Sequence, residues 1–131
     1  MTASRTLSVL IVEDDPDGGE SLAVLLTHAG HEVRLARTPA EALDGPTGRP
    51  PDVVLLDIGL PDMDGHELAG RLRARYAGPL LLVAVTGRSD LEGRSFGEGL
   101  DYHFVKPVDL GRLRDLLAKY AARLSDAGPA G

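Results

Sequence analysis

Four short apolar runs in this 131-residue chain each end in polar side chains capable of chemistry. VLIV (9–12) runs into Glu13, Asp14 and Asp15, and VVLL (53–56) runs into Asp57. LLLVAV (80–85) ends at Thr86, and YHFV (102–105) ends at Lys106. Clustered carboxylates repel one another and are desolvated, so alone they would raise one another's pKa. A hard divalent cation relieves that repulsion. Magnesium suits the set, because it takes oxygen ligands in an octahedron and is held by one or two carboxylates plus a phosphate. A carboxylate is also a nucleophile that can form an acyl phosphate. If the acids of the first and third runs share one cleft, Asp57 can take a phosphoryl group there. Lys106 can then pair with the phosphoryl oxygens, while the Thr86 hydroxyl donates a hydrogen bond to one of them. Glu13, Asp14 and Asp57 against Lys106 sum to a charge of −2, which Mg²⁺ neutralises.

Positioning these groups falls to the elements around them. Continuous apolar runs of this length suit strands buried on both faces, as in a parallel sheet. Between the first two strands the sequence predicts a helix with Leu22, Leu25, Leu26 and Ala29 on its inward stripe. Asp15 before Pro16 supplies its start, an N-cap acid ahead of Pro at the first helical position, and Gly30 stops it. Residues 31–36 read as a more polar, edge strand. Residues 39–43 form a short helix, and 67–76 a helix with Leu68, Leu72 and Tyr76 inward. Residues 91–98 are a poor helix, 102–105 the last strand, and Leu110, Leu113, Leu116, Leu117, Tyr120 and Leu124 pattern a final helix. Five repeats of strand then helix, joined by right-handed crossovers, give an α/β fold: an open parallel sheet covered on both faces. Such doubly wound sheets bind ligands beyond the carboxyl ends of their strands, where the four polar sites fall.

Composition narrows the function classes. The length suits one domain, residues 1–124, followed by a short tail at 125–131 that reads as disordered. A hydrophobic content of 43% with 26% charged residues describes a soluble globular protein. There is no Cys, so disulfides and thiolate metal sites are excluded. The four His (28, 31, 66 and 103) show no ligand spacing for zinc, and surface or turn roles are expected for the first three. A net charge of −6 with no basic stretch argues against direct nucleic-acid binding. No apolar run is long enough to span a membrane and no secretory signal is visible, so a cytoplasmic location is the default.

The strings VLIVEDDPD (9–17), VVLLDIGLPDMDG (53–65), AVTG (84–87) and HFVKPVD (103–109) resemble, in order, the motifs of the receiver domain of bacterial response regulators, the CheY-like family. The resemblance spans residues 7–124. It implies a flavodoxin-like five-stranded parallel sheet in the order 2-1-3-4-5. Within it Asp57 matches the phosphoacceptor, Asp14 the direct metal ligand, Glu13 an acid acting through a metal-bound water, and the Gly59 carbonyl a backbone ligand. Thr86 and Lys106 match the switch hydroxyl and the phosphate-pairing Lys. Asp15 falls one position beyond the acid pair and is read as the helix cap. The resemblance also implies a cis bond between Lys106 and Pro107, and it matches Pro61 and Gly65 to the turn after the acceptor.

HFVKPVD is most similar to receivers of hybrid sensor kinases. It puts His103 where the family pattern has a Tyr or Phe that swings inward, so the switch depends less on aromatic burial and gains a side chain able to feel pH. The interval from Thr86 to Lys106 is about two residues shorter than the family pattern and contains Gly87, Gly93, Gly97 and Gly99, which predicts a short or mobile helix there. The resemblance implies an Mg²⁺-dependent phosphoacceptor. Its phosphoryl donor is a histidine kinase or histidine phosphotransfer protein, and its signal passes to a downstream protein by protein–protein contact. Its catalysis is limited to its own phosphorylation and dephosphorylation, and it is a monomer or weak dimer. With no output domain in the sequence, a stand-alone receiver or phosphorelay intermediate is expected. Two other readings stand beside this one. The first is a phosphohydrolase with a covalent aspartyl phosphate, whose motif needs a second Asp where Gly59 stands. The second is a constitutive scaffold with no metal-dependent modification.

Overall fold

The computed structural model describes residues 6–44, 50–57, 65–76, 79–86, 101–105 and 108–127. Their order is β1 (Ser8–Val12), α1 (Pro16–His28), β2 (Glu32–Ala36), α2 (Pro39–Leu43), β3 (Val53–Asp57), α3 (Gly65–Arg75), β4 (Leu81–Thr86), β5 (Tyr102–Val105) and α4 (Leu110–Ala127). All the strand pairings are parallel, and the sheet runs β2-β1-β3-β4-β5. This is the expected order, with the polar strand β2 at one edge. The helix expected over 91–98 lies outside the described residues. The final helix continues three residues beyond the expected limit at Leu124, to Ala127.

Strand side chains alternate between two cores. Leu10, Val12, Val54, Leu56, Leu82 and Ala84 pack on one face with Leu68 and Leu72 of α3 and with Tyr76 just after it. Val9, Ile11, Val53, Leu55, Val83 and Val85 pack on the other with Leu26 of α1 and Leu113, Leu117 and Ala121 of α4. Burial on both faces is why these strands read as unbroken apolar runs.

Helix α1 begins and ends as its sequence dictates. Asp15 caps it, accepting a hydrogen bond from the Asp17 N–H at 3.2 Å, with Pro in the first turn. At the other end Gly30 adopts φ of 100°, a conformation that costs glycine little. The N–H groups of Gly30 and His31 donate to the carbonyls of Thr27 (3.0 Å) and Leu26 (3.1 Å), which closes the helix in a Schellman motif. The inward stripe differs from the expectation. Leu26 is buried and Leu22 and Ala23 pack against the core, but Leu25 is exposed and Ala29 faces solvent. Gly19 accounts for the rotation: it is buried, and a Cβ there would stand 2.8 Å from Leu35 Cδ1. The helix therefore turns its glycine inward and approaches the sheet closely along Gly19, Leu22, Ala23 and Leu26. Leu110 is also exposed rather than inward.

At the amino ends of the strands, side chains supply acceptors that the sheet lacks. The Ser8 N–H donates to Asp52 Oδ2 at 2.9 Å, and the Asp52 N–H donates to the Ser8 carbonyl at 2.7 Å. The Leu82 N–H donates to Asp101 Oδ2 at 2.9 Å, and the Asp101 N–H returns a bond to the Leu82 carbonyl at 2.8 Å. Arg73 of α3 clamps this corner, donating to Asp101 Oδ2 at 2.6 Å and to the Leu80 carbonyl at 3.1 Å. The Leu7 N–H donates to Nδ1 of His31 at 3.2 Å. That last bond requires an imidazole unprotonated at Nδ1.

Two outcomes are expected. Removing the Asp101 carboxylate (Asp101→Ala) leaves the Leu82 N–H and the Arg73 guanidinium without it. It should lower stability by about 1–2 kcal/mol, while Asp101→Asn, which keeps an acceptor, costs less. Urea midpoints at unchanged m-value measure the difference. Burial lowers the pKa of His31 below its usual 6.5. The unfolded chain then takes up this proton first as pH falls, so stability declines below pH 6.5 and levels off once the folded imidazole also protonates. His31→Gln, which keeps an acceptor but does not titrate, should flatten that part of the pH–stability profile.

Candidate functional site

Parallel pairing of β1 with β3 builds the site. Val12 stands opposite Leu56, so the residues that follow, Glu13 and Asp57, leave the sheet side by side at its carboxyl end. One carboxylate oxygen each from Glu13, Asp14 and Asp57 lies within 4.8 Å of the others. Glu13 is buried, Asp57 half-buried and Asp14 exposed. The three acids that the sequence singled out are therefore brought together.

Glu13 is held in place along its length. Its N–H donates to the Ala36 carbonyl of β2 at 2.9 Å, and its Oε2 accepts from the Asp15 N–H at 3.3 Å. The first turn of α1 closes over it: a Cβ on Gly18 would lie 3.8 Å from Glu13 Oε1, and one on Gly19 would lie 3.5 Å from Glu13 Cβ. The Gly18-Gly19 pair weakens the helix by propensity alone, and that cost was the available signal for a close approach which hydropathy does not register. The positive end of the α1 dipole also faces this acidic corner. Asp15 stays outside the cluster as the cap, as expected.

Of the other expected residues, Thr86 falls within the described strands. Asp57 is opposite Val85 on β4, so Thr86, the last residue of that strand, lies one position beyond it. Val105 pairs with Thr86, which puts the end of β5 at the same level of the sheet. The side chain of Thr86, together with Gly59, Pro61, Lys106 and Pro107, lies outside what is described. His103 is buried on β5 opposite Ala84, and Tyr102 packs tilted against Phe104 with ring centroids 5.0 Å apart.

The donor set fits a hard cation. All three candidate donors are carboxylate oxygens, the ligand type magnesium takes. With bonds of about 2.1 Å, ligand oxygens in an octahedron stand about 3.0 Å apart when adjacent and about 4.2 Å apart when opposite, so oxygens within 4.8 Å of one another draw closer when they share one ion. The exposed side chain of Asp14 is free to make that adjustment by turning toward the others.

Comparison with known proteins agrees with this arrangement. Residues 9–118 match the response regulator receiver domain family. The transcriptional regulatory protein KdpE of Mycobacterium tuberculosis is 35% identical over 118 residues, which are 87% of this chain and 52% of that protein. The chain thus spans about half the length of this relative. Among solved structures, a CheY-like receiver domain from Methylobacillus flagellatus superposes with a TM-score of 0.79 at 30% identity, covering 88% of this chain and 99% of that one. The response regulator TrrA of Thermotoga maritima, solved in complex with Mg²⁺-BeF, gives a TM-score of 0.75 at 28% identity, with the same coverage of both chains. A parallel sheet in the order 2-1-3-4-5, an acid cluster at its carboxyl end and a family match over most of the sequence lead to one conclusion: this chain belongs to the response regulator receiver domain family.

Proposed function

We propose that this chain is a phosphoacceptor receiver, in which Asp57 takes a phosphoryl group from the phosphohistidine of a histidine kinase or histidine phosphotransfer protein. The observation that carries this reading is the convergence of Glu13, Asp14 and Asp57 on one corner of the sheet. The Mg²⁺-BeF complex of TrrA, on a protein that shares this fold, supports the choice of metal.

In the proposed reaction a carboxylate oxygen of Asp57 attacks phosphorus. The new P–O bond forms as the P–N bond breaks, and the departing imidazole nitrogen keeps the electron pair and takes up a proton. Asp14, Asp57 and the Gly59 carbonyl would hold a Mg²⁺ ion, with Glu13 acting through water, and the ion would supply positive charge that offsets the approach of an anionic donor to an acidic pocket. Lys106 pairs with the phosphoryl oxygens and the Thr86 hydroxyl donates to one of them. Capture of that hydroxyl biases the β4–β5 side of the domain toward a state that a downstream protein recognises. The chain acts on no other substrate. It works in the cytoplasm, and residues 1–124 make up the receiver.

Two measurements test this. Incubation with acetyl phosphate and Mg²⁺ should add one phosphoryl group by intact mass, none without the metal and none in Asp57→Asn. A folded Asp57→Asn protein that still gains the group would falsify the acceptor assignment, and steady turnover of a phosphate ester would point to a hydrolase instead. Asp14→Asn should weaken Mg²⁺ binding by about tenfold or more with the fold intact. Titration calorimetry and circular dichroism read the two quantities separately, and unchanged affinity removes Asp14 from the ligand set.

A further inference from the structure

Beside the acid cluster, the carboxyl end of the sheet carries a cation. Val12 of β1 pairs with Ala36 of β2 and with Leu56 of β3. The residues that come next, Arg37, Glu13 and Asp57, therefore stand in one row across three strands. The Glu13 N–H donates to the Ala36 carbonyl at 2.9 Å, which ties the acid to the residue just before Arg37. Neighbouring strands stand about 4.8 Å apart, so the Arg37 backbone lies about 5 Å from that of Glu13 and about 10 Å from that of Asp57.

The base of this side chain is fixed and its charge is uncommitted. The Arg37 N–H donates to Glu41 Oε1 at 3.0 Å, and the Glu41 N–H donates to Thr38 Oγ1 at 3.1 Å, so reciprocal bonds around the Thr38 cap of α2 hold the backbone. The Arg37 side chain is exposed and makes no hydrogen bond or ion pair with any described residue. The arginines of α3 differ in this respect. Arg71 binds Glu67, Arg73 binds Asp101, and Arg75 donates to the Leu43 carbonyl.

A charge in this place acts on both reactants of an acidic pocket, and with opposite sign. It draws an anionic phosphoryl donor toward Asp57, and it opposes the cation that the carboxylates attract. We propose that Arg37 is a guiding charge for the phosphoryl donor, raising the concentration of phosphoryl anions at the mouth of the pocket while loosening the hold on Mg²⁺. This inference rests on the phosphoacceptor reading of Asp57. Arg37 works through space and touches neither the reacting atoms nor the metal, so its effects follow the charge of each reactant.

Rates of phosphoryl uptake by the full chain at saturating Mg²⁺ test it. Two small donors differ in charge near neutral pH: acetyl phosphate is a dianion and phosphoramidate a monoanion. At low ionic strength Arg37→Glu should slow uptake roughly tenfold from acetyl phosphate and roughly threefold from phosphoramidate. Arg37→Gln should give about half of each effect on a logarithmic scale, and Arg37→Lys should stay close to the parent chain. All these differences should shrink with added salt. Mg²⁺ affinity, measured by calorimetry without a donor, should move the other way and tighten roughly tenfold in Arg37→Glu. A variant that merely disturbs the site would weaken both. Equal rates for Arg37→Glu and the parent chain overturn the proposal. So does a loss that is the same for both donors, indifferent to salt, or joined to weaker Mg²⁺ binding. A parent chain that takes no phosphoryl group from either donor removes the phosphoacceptor reading, and this inference with it. Should repulsion from Glu41 unfold Arg37→Glu, the uncharged Arg37→Gln decides by the same criteria.

Discussion

Repulsion among Glu13, Asp14 and Asp57 is the constraint around which the rest of the structure is arranged. Two unit charges 4.8 Å apart repel by about 1 kcal/mol in water and about 3.5 kcal/mol at an effective dielectric of 20. Such a cluster would disperse unless its backbone were fixed by something stronger. The strands supply this. Val9, Leu10, Ile11 and Val12 on β1 and Val53, Val54, Leu55 and Leu56 on β3 are each exposed by 2% or less. Each buried side chain of this kind contributes roughly 1.5–3 kcal/mol, so the two strands together outweigh the repulsion several times over. The acids are placed by what precedes them in the chain.

The two ends of the sheet are organised on opposite principles. At the carboxyl end, like charges are gathered within 4.8 Å of one another. At the amino end, side-chain acceptors meet backbone donors: Asp52 to Ser8, Asp101 to Leu82 and His31 to Leu7. Arg73 adds a tie from α3 to the β4–β5 corner. Rigidity at one end lets the other hold a costly arrangement, because a sheet pinned in register has no slipped alternative that would separate the acids.

Most of the fold could be read from residue patterns. Double-sided burial makes the strands visible as apolar runs, and the caps at Asp15 and Gly30 mark α1 without tertiary information. Strand order was not legible from periodicity; it came from the resemblance of four motifs to a known family. The pocket acids were legible because strand ends in such sheets converge. The inward stripe of α1 was misread because Leu22, Leu25, Leu26 and Ala29 satisfy a helical period as well as Gly19, Leu22, Ala23 and Leu26 do, and glycine carries no hydropathic signal. The hydrogen bonds of Asp52, Asp101 and His31 were missed for another reason. Their partners are 44, 19 and 24 residues away, and only the register between strands brings them into contact.

Gly19 has one more consequence. The space beneath it is shared by Leu35 of β2 and the Cβ of Glu13, so the height at which α1 rides over the pocket is set in part by a side chain on the edge strand. β2 donates no group to the chemistry. Its Leu35 nonetheless acts as a spacer for the first turn of the helix, and through the Asp15 N–H that turn orients the Glu13 carboxylate. A change of shape at Leu35 therefore reaches the first turn of α1, and with it the acid cluster, from the far side of a helix.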